Sequence, residues 1–342
     1  MPYTNIIKRD TQLDIYRALS MMYIVCIIHL VYWLGFGEEP LKSLILIEMP
    51  IIFFISGASL SQSKSNKGFT ETLKNRTKRV ILPYYIYAAA MLAIIAILTL
   101  CGNPFGMDIT AYSYRDIAKV LLCMDIPQSR YCWHIWFIQP YMILSCTFFI
   151  HQKILQRVNS TLYLAINILL FILVQALTEN QLTRHIFCYN IFMLAGYIYY
   201  KRINKRKILS ILSATLVYLI VTTCIAGVSF TPMQSHKFPA DVVFLCYTTF
   251  ALCILSLLLS YIKLPSKRIL AIWNQRGYTI YLYQNIVYFA VSLAIPYISE
   301  YVEHRIITAS IALVLIFAGS TLLSYITYPI EQYIISKIKF FK

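Results

Sequence analysis

The sequence predicts an all-α polytopic membrane protein of about ten transmembrane helices with both termini in the cytoplasm. Three observations carry that prediction. Hydrophobic residues make up 59% and charged residues only 13% of 342 positions, about half the charged share of a soluble domain. The apolar residues gather in runs long enough to cross a bilayer. Lysine and arginine crowd onto alternate connections between those runs.

The runs lie at 13–34, 43–62, 80–101, 133–151, 160–178, 184–200, 208–229, 241–262, 270–296 and 306–330. Of the 30 Lys and Arg, 21 fall on one set of connections, around Lys8, Lys64 to Arg79, Lys153, Lys201 to Lys207, Lys263 to Arg268 and Lys337 to Lys342. Seven fall on the other set (Lys42, Arg115, Lys119, Arg130, Arg184, Lys237, Arg305), together with nine of the 14 acids; Arg17 and Arg276 lie in or at the edge of runs. The positive-inside rule places the richer side in the cytoplasm. The net charge of +16 is therefore a topology signal, helped by anionic lipid, and calls for no nucleic acid. One transmembrane domain over 1–342 is expected, with no separate soluble domain. No small-residue cleavage site follows the first short apolar core, so the first helix is expected to stay.

Taken in order, the runs differ in what they carry. Run 1 opens on Asp14-Ile15-Tyr16-Arg17-Ala18 and holds His29, about 20 Å further along a helix. An ionisable group at that depth is a functional hypothesis by default; the alternative is a ring bonded to a neighbouring helix. Run 2 carries Glu48 at a similar depth. Arg76-Thr77-Lys78-Arg79 precedes run 3; two arginines three apart share a helix face and suit phosphate, or simply mark the basic side. The outer segment 102–132, with Asn103-Pro104 and Ile126-Pro127, is either a substrate-facing lid or a tether. Run 4 enters through Trp133-His134-Ile135-Trp136-Phe137, and run 9 brings Tyr281, Gln284 and Asn285 toward the level of His29. These side chains either surround a polar chamber or make separate helix-to-helix hydrogen bonds. The nine cysteines are scattered without CxxC spacing and predict no disulfide framework; Cys123 and Cys132 share the outer segment. P-loop, dinucleotide and HExxH patterns are absent from the sequence, and no metal site is expected.

In order along the chain, these pieces resemble the membrane-embedded acyltransferase 3 family. Asp14 to Ala18 followed by His29 resembles its first helix. Met49-Pro50-Ile51-Ile52-Phe53-Phe54-Ile55-Ser56-Gly57 resembles its second, in the pattern of the fucose 4-O-acetylase branch. Arg76-Thr77-Lys78-Arg79 with Pro83-Tyr84 resembles its RxxR element, and His134-Ile135-Trp136-Phe137-Ile138 its HLWFL segment. Tyr278-Thr279-Ile280-Tyr281-Leu282 and Tyr325 to Glu331 resemble its later elements.

The resemblance implies an O-acyltransferase of cell-surface or lipid-linked sugars in a bacterial inner (plasma) membrane, with acyl-CoA, most simply acetyl-CoA, as donor and membrane lipid around it. A homodimer is an allowed assembly. In that reading His29 is base or acyl relay and Glu48 orients it. Arg17, Arg76 and Arg79 hold the donor, and His134, Trp136, Tyr281, Gln284 and Asn285 meet the acceptor. The competing reading is an exporter of lipid-linked glycan, against which the lack of internal repeats counts. Two departures from the family pattern stand out. The family spaces the arginine and histidine of helix 1 eleven apart, whereas Arg17 and His29 are twelve apart; the extra residue predicts a π-bulge between them. Where the family often has histidine, Gln284 stands, which cannot shuttle protons near neutrality.

Overall fold

The computed structural model describes residues 10–63, 68–102, 118–119, 122, 133–259, 261, 268–302 and 304–338. Most of the outer segment 102–132, with Cys123 and Cys132, lies outside the described residues. Among the described residues every named element is helical.

The main rods are α1 (Thr11–Trp33), α2 (Glu48–Ser61), α3 (Phe69–Arg76, Thr77–Ile81 and Leu82–Leu100 end to end), α4 (Ile138–Leu155), α5 (Ser160–Leu177), α6 (Gln181–Tyr199), α7 (Lys205–Ile225), α8 (Val242–Leu259), α9 (Arg268–Tyr301) and α10 (Arg305–Lys337). Short helices Leu41–Leu44 and Met233–Lys237 lie in connections. Among the described residues eight segments are long and apolar enough to cross a membrane: α1, Leu41–Ser61, α3, α5, α7, α8, α9 and α10. The two expected spans not among them are α4 and α6, which match the others in length but carry Gln139, His151, Gln152 and Lys153, or Arg184, His185 and Asn190. For α6 the reason is position. Most of its residues from Arg184 to Ile198 are buried, so protein rather than lipid solvates its polar side chains. By contrast α5 and α7 are largely exposed, and their apolar surface is what remains for lipid.

Small residues set the tightest crossing. A Cβ on Gly57 of α2 would lie 1.8 Å from the Met193 carbonyl oxygen of α6, and one on Gly196 would lie 1.9 Å from that of Phe54. Only glycine permits this reciprocal backbone approach. Polar ties close the two ends. Asp10 caps α1 by accepting from Gln12 N (3.1 Å) and Leu13 N (3.4 Å), while its other oxygen accepts from Lys201 Nζ (2.7 Å) at the end of α6. At the opposite end Arg305 donates to the Gly35 carbonyl (2.6 Å) and to Glu38 (2.9 Å).

Candidate active site

The extra residue between Arg17 and His29 is absorbed where the spacing places it. Ile24–Ile28 forms a π turn, and the His29 N–H reaches back five residues to the Ile24 carbonyl. The widened turn also presents the Val25 carbonyl, which accepts from Tyr288 Oη (2.6 Å) on α9. As a result the His29 ring is buried inside the bundle and faces α9 instead of lipid.

Its surroundings fix its protons. Gln284 Nε2 donates to the Tyr281 carbonyl (2.8 Å), an oxygen that only accepts, so the Gln284 amide is oriented with Oε1 outward. Oε1 lies 2.6 Å from His29 Nδ1. Nδ1 must therefore carry the hydrogen, and in the neutral ring the Nε2 lone pair is left bare. The ring stacks on Trp33 (centroids 4.0 Å apart, planes 12° from parallel), with Tyr281 at 6.0 Å and Tyr288 at 6.3 Å. Tyr281, Gln284 and Tyr288 share one face of α9 because three, four and seven residues span whole turns.

His134 joins the same cluster from the 3-10 turn Trp133–Phe137. Its ring lies 5.7 Å from Trp33, 5.2 Å from Tyr281 and 5.9 Å from Tyr87. Its Nε2 donates to the Leu282 carbonyl (3.2 Å), its Nδ1 is enclosed without a partner, and Tyr281 Oη donates to the His134 carbonyl. Asn285 is one step removed, donating to Tyr87 Oη (2.8 Å).

Glu48 and Trp136 are elsewhere, which corrects the expected contact between Glu48 and His29. Glu48 Oε1 pairs with Lys237 Nζ, both side chains 4% exposed. Equal depth along the membrane normal did not mean contact, because Glu48 opens α2 on the face toward the short helix Met233–Lys237, whereas His29 looks at α9. Trp136 belongs to that second cluster, with Lys237 Nζ 5.3 Å over its ring, His185 at 4.8 Å and Phe238 at 5.0 Å. His185 Nε2 donates to the Lys237 carbonyl (2.8 Å). Sequence reasoning missed both Lys237, counted as a loop charge, and His185. The available signal was Glu48 itself, since a buried carboxylate requires a partner.

The three arginines gather at the opposite, basic end. Arg17 donates to Asp14 (2.6 Å) and to Ser59 Oγ (2.6 Å). Beside Asp14 a groove of about 510 Å³ runs between Thr11, Asp14 and Ile15 of α1 and Leu270, Ala271, Asn274 and Gln275 of α9. Arg76 and Arg79 line a second pocket of about 190 Å³ with Ser63, Thr72, Asn75, Ser145 and Gln152. The π turn Thr77–Ile81 starts directly after Arg76. Arg76 is steadied by Tyr141, donating to its hydroxyl at 2.9 Å with the guanidinium 5.3 Å over the ring.

No curated protein and no solved structure matches this chain significantly. The acyltransferase domain family Acyl_transf_3 matches residues 10–328. Nearly the whole described bundle, from the cap of α1 to Tyr328 in α10, falls within that match, and the chain belongs to this family of membrane acyltransferases.

Proposed function

We propose that this protein transfers an acyl group, most simply acetyl, from acyl-CoA at the basic end of the bundle to a hydroxyl of a cell-surface or lipid-linked sugar. The observation that carries the proposal is the bare Nε2 of His29, fixed by Gln284 inside an aromatic-walled interior. A neutral imidazole with its free lone pair defined is the group that general-base catalysis on an alcohol requires. The acceptor oxygen attacks the thioester carbonyl carbon as Nε2 takes its proton. The carbon–sulfur bond then breaks, and the proton leaves with sulfur as the CoA thiol.

The positive-inside bias supports a basic end on the cytoplasmic side, where acyl-CoA is made, and in this reading the membrane is a bacterial plasma membrane. Arg76 and Arg79 offer planar guanidinium forks to the CoA phosphates, and the groove lined by Asp14, the ion-pair partner of Arg17, suits the narrower pantetheine arm. All ten long helices are spans in this reading, α4 and α6 included, with both termini on the cytoplasmic side. His134, Tyr281 and Asn285 line the acceptor's approach.

The test is acetyl transfer by purified protein from labelled acetyl-CoA to membrane glycolipid, followed by CoA release. His29→Ala lowers turnover about 10²- to 10⁴-fold, the usual share of a general base, with the fold intact. Arg76→Ala raises the KM for acetyl-CoA and leaves the acceptor KM unchanged. Wild-type turnover in folded His29→Ala protein removes His29 from the mechanism.

A further inference from the structure

Among the described residues, the guanidinium groups of Arg184 and Arg276 are enclosed in two different ways. Arg184 is 6% exposed, and its guanidinium donates to the Thr178 carbonyl (2.6 Å), the Gln175 carbonyl (2.8 Å) and Glu179 (2.7 Å). Arg276 of α9 has no such set. Its Nε and Nη1 are enclosed by protein, and neither donates a hydrogen bond. What it has instead is aromatic: the guanidinium carbon lies 4.1 Å over the Tyr325 ring and 5.4 Å from that of Tyr328, both on α10. The Glu331 carboxylate of α10 bonds to α9 instead, its Oε2 accepting from Thr279 Oγ1 (2.6 Å) while its Oε1 is enclosed without a hydrogen bond, and it makes no ion pair with Arg276. Two ring faces offset only part of the cost of desolvating a guanidinium, so the site lacks an anion.

Its place in the bundle narrows the anion's class. Arg276 lies eight residues into α9, about 12 Å from the basic end. It sits two residues before Tyr278, whose hydroxyl donates to the Val80 carbonyl (3.1 Å) next to Arg79. Tyr325 is 48% exposed and stands among Leu322, Ile326 and Ile330, also exposed, on the outward face of α10. Further toward the end, Lys337 Nζ lies 5.3 Å over Tyr333, the aromatic-and-cation signature of a membrane interface. The face is thus apolar along its length and cationic at one level.

We propose that Arg276, with Tyr325 and Tyr328 as its walls, binds the phosphate of an anionic membrane phospholipid whose acyl chains lie along Leu322, Ile326 and Ile330. The chemistry it recognises is a phosphate oxyanion, which also occurs in CoA; the outward face of α10 favours the lipid. Tyr325, half exposed, has room to turn aside and open the Nε edge for a two-point contact.

The experiment titrates purified protein in neutral glycoside detergent with dioctanoyl phosphatidylglycerol, with dioctanoylglycerol, which lacks the phosphate, and with CoA, reading the melting temperature. Phosphatidylglycerol raises it in wild-type protein and dioctanoylglycerol does not. In Arg276→Gln the phosphatidylglycerol midpoint moves about tenfold or more, as loss of a charged hydrogen bond implies, and Arg276→Lys recovers part of it. Arg276→Gln without lipid melts no lower than wild type, because an uncompensated charge has been removed. An equal lipid shift in wild type and Arg276→Gln overturns the proposal. A CoA shift that disappears in Arg276→Gln while the lipid shift persists overturns it in favour of a donor-phosphate site.

Discussion

Two buried polar clusters share the interior of this protein, and they are built on opposite plans. The Glu48–Lys237 cluster pairs its formal charges: an ion pair through Glu48 Oε1 with both side chains 4% exposed, a tryptophan and a phenylalanine under the ammonium, and His185 tied to the Lys237 carbonyl. The His29 cluster has no carboxylate on its imidazole. A neutral amide takes Nδ1, and aromatic rings form the walls. The difference teaches which cluster is structural. Full pairing of formal charges holds segments in place and leaves no group to act on a substrate. A neutral ring with one nitrogen fixed and the other bare holds little together and is prepared to exchange a proton. A triad-like carboxylate would place a formal charge against the imidazole, whereas the glutamine fixes Nδ1 without one.

The comparison breaks most visibly at the ion pair. Lys237→Met leaves Glu48 buried without its cation and destabilises the fold by about 3–5 kcal/mol. The double variant Glu48→Gln with Lys237→Met recovers most of that loss, since removing both charges removes the desolvation cost with them. Thermal unfolding of the single and double variants reads this directly, and equal losses in both would show that the pair is not the source. The next effect is kinetic. Gln284→Leu leaves the Nδ1 hydrogen of His29 without an acceptor. An unsatisfied buried donor costs ~1–3 kcal/mol, so kcat for acyl transfer falls about tenfold to a hundredfold while the KM for acyl-CoA holds. Gln284→His, which still offers a ring nitrogen as acceptor, restores part of the rate. A rise in KM with kcat unchanged would make Gln284 a donor contact instead of a positioning residue.

How far the sequence alone reached follows the same division. The helical class was legible because apolar run length and charge asymmetry are one-dimensional signals. The π turn at Ile24–Ile28 was legible as well, since one surplus residue between Arg17 and His29 must either rotate the ring toward lipid or be absorbed. Grouping His29 with His134, Tyr281 and Gln284 needed only depth and helix face. The same reasoning failed for Glu48 and Trp136, because depth along the membrane normal says nothing about which neighbour a helix turns toward. It also failed for Lys237, because hydropathy assigns a lysine in a polar connection to water, and only folding shows the short helix Met233–Lys237 entering the bundle. Arg276 was visible as a charge out of place, but the missing hydrogen bonds on its Nε and Nη1 are a three-dimensional fact.

The smallest expected effect concerns how the Lys237 segment is held. His236 sits one residue earlier, outside the spans, with Nδ1 2.6 Å from Asp241 Oδ2 and Nε2 2.7 Å from the Ser229 carbonyl. Both partners are acceptors, so the ring is fully bonded only when both nitrogens carry hydrogen. The Asp241 hydrogen bond raises the His236 pKa above its ordinary value, against the opposing effect of partial burial. A histidine whose folded pKa is raised contributes its full stabilisation below the unfolded value, about 6.5, and loses it as pH rises through the folded value. The connection should therefore loosen on the alkaline side of that window. Melting temperature followed from about pH 6 to 9 should decline modestly, as a partly exposed, solvent-screened pair allows. Asp241→Asn keeps the Oδ1 that accepts from Phe244 N (2.9 Å) but removes the charge, and it should flatten the decline by lowering stability at the acid end. A decline unchanged in Asp241→Asn would assign the pH dependence to another group and leave the clamp without an energetic role.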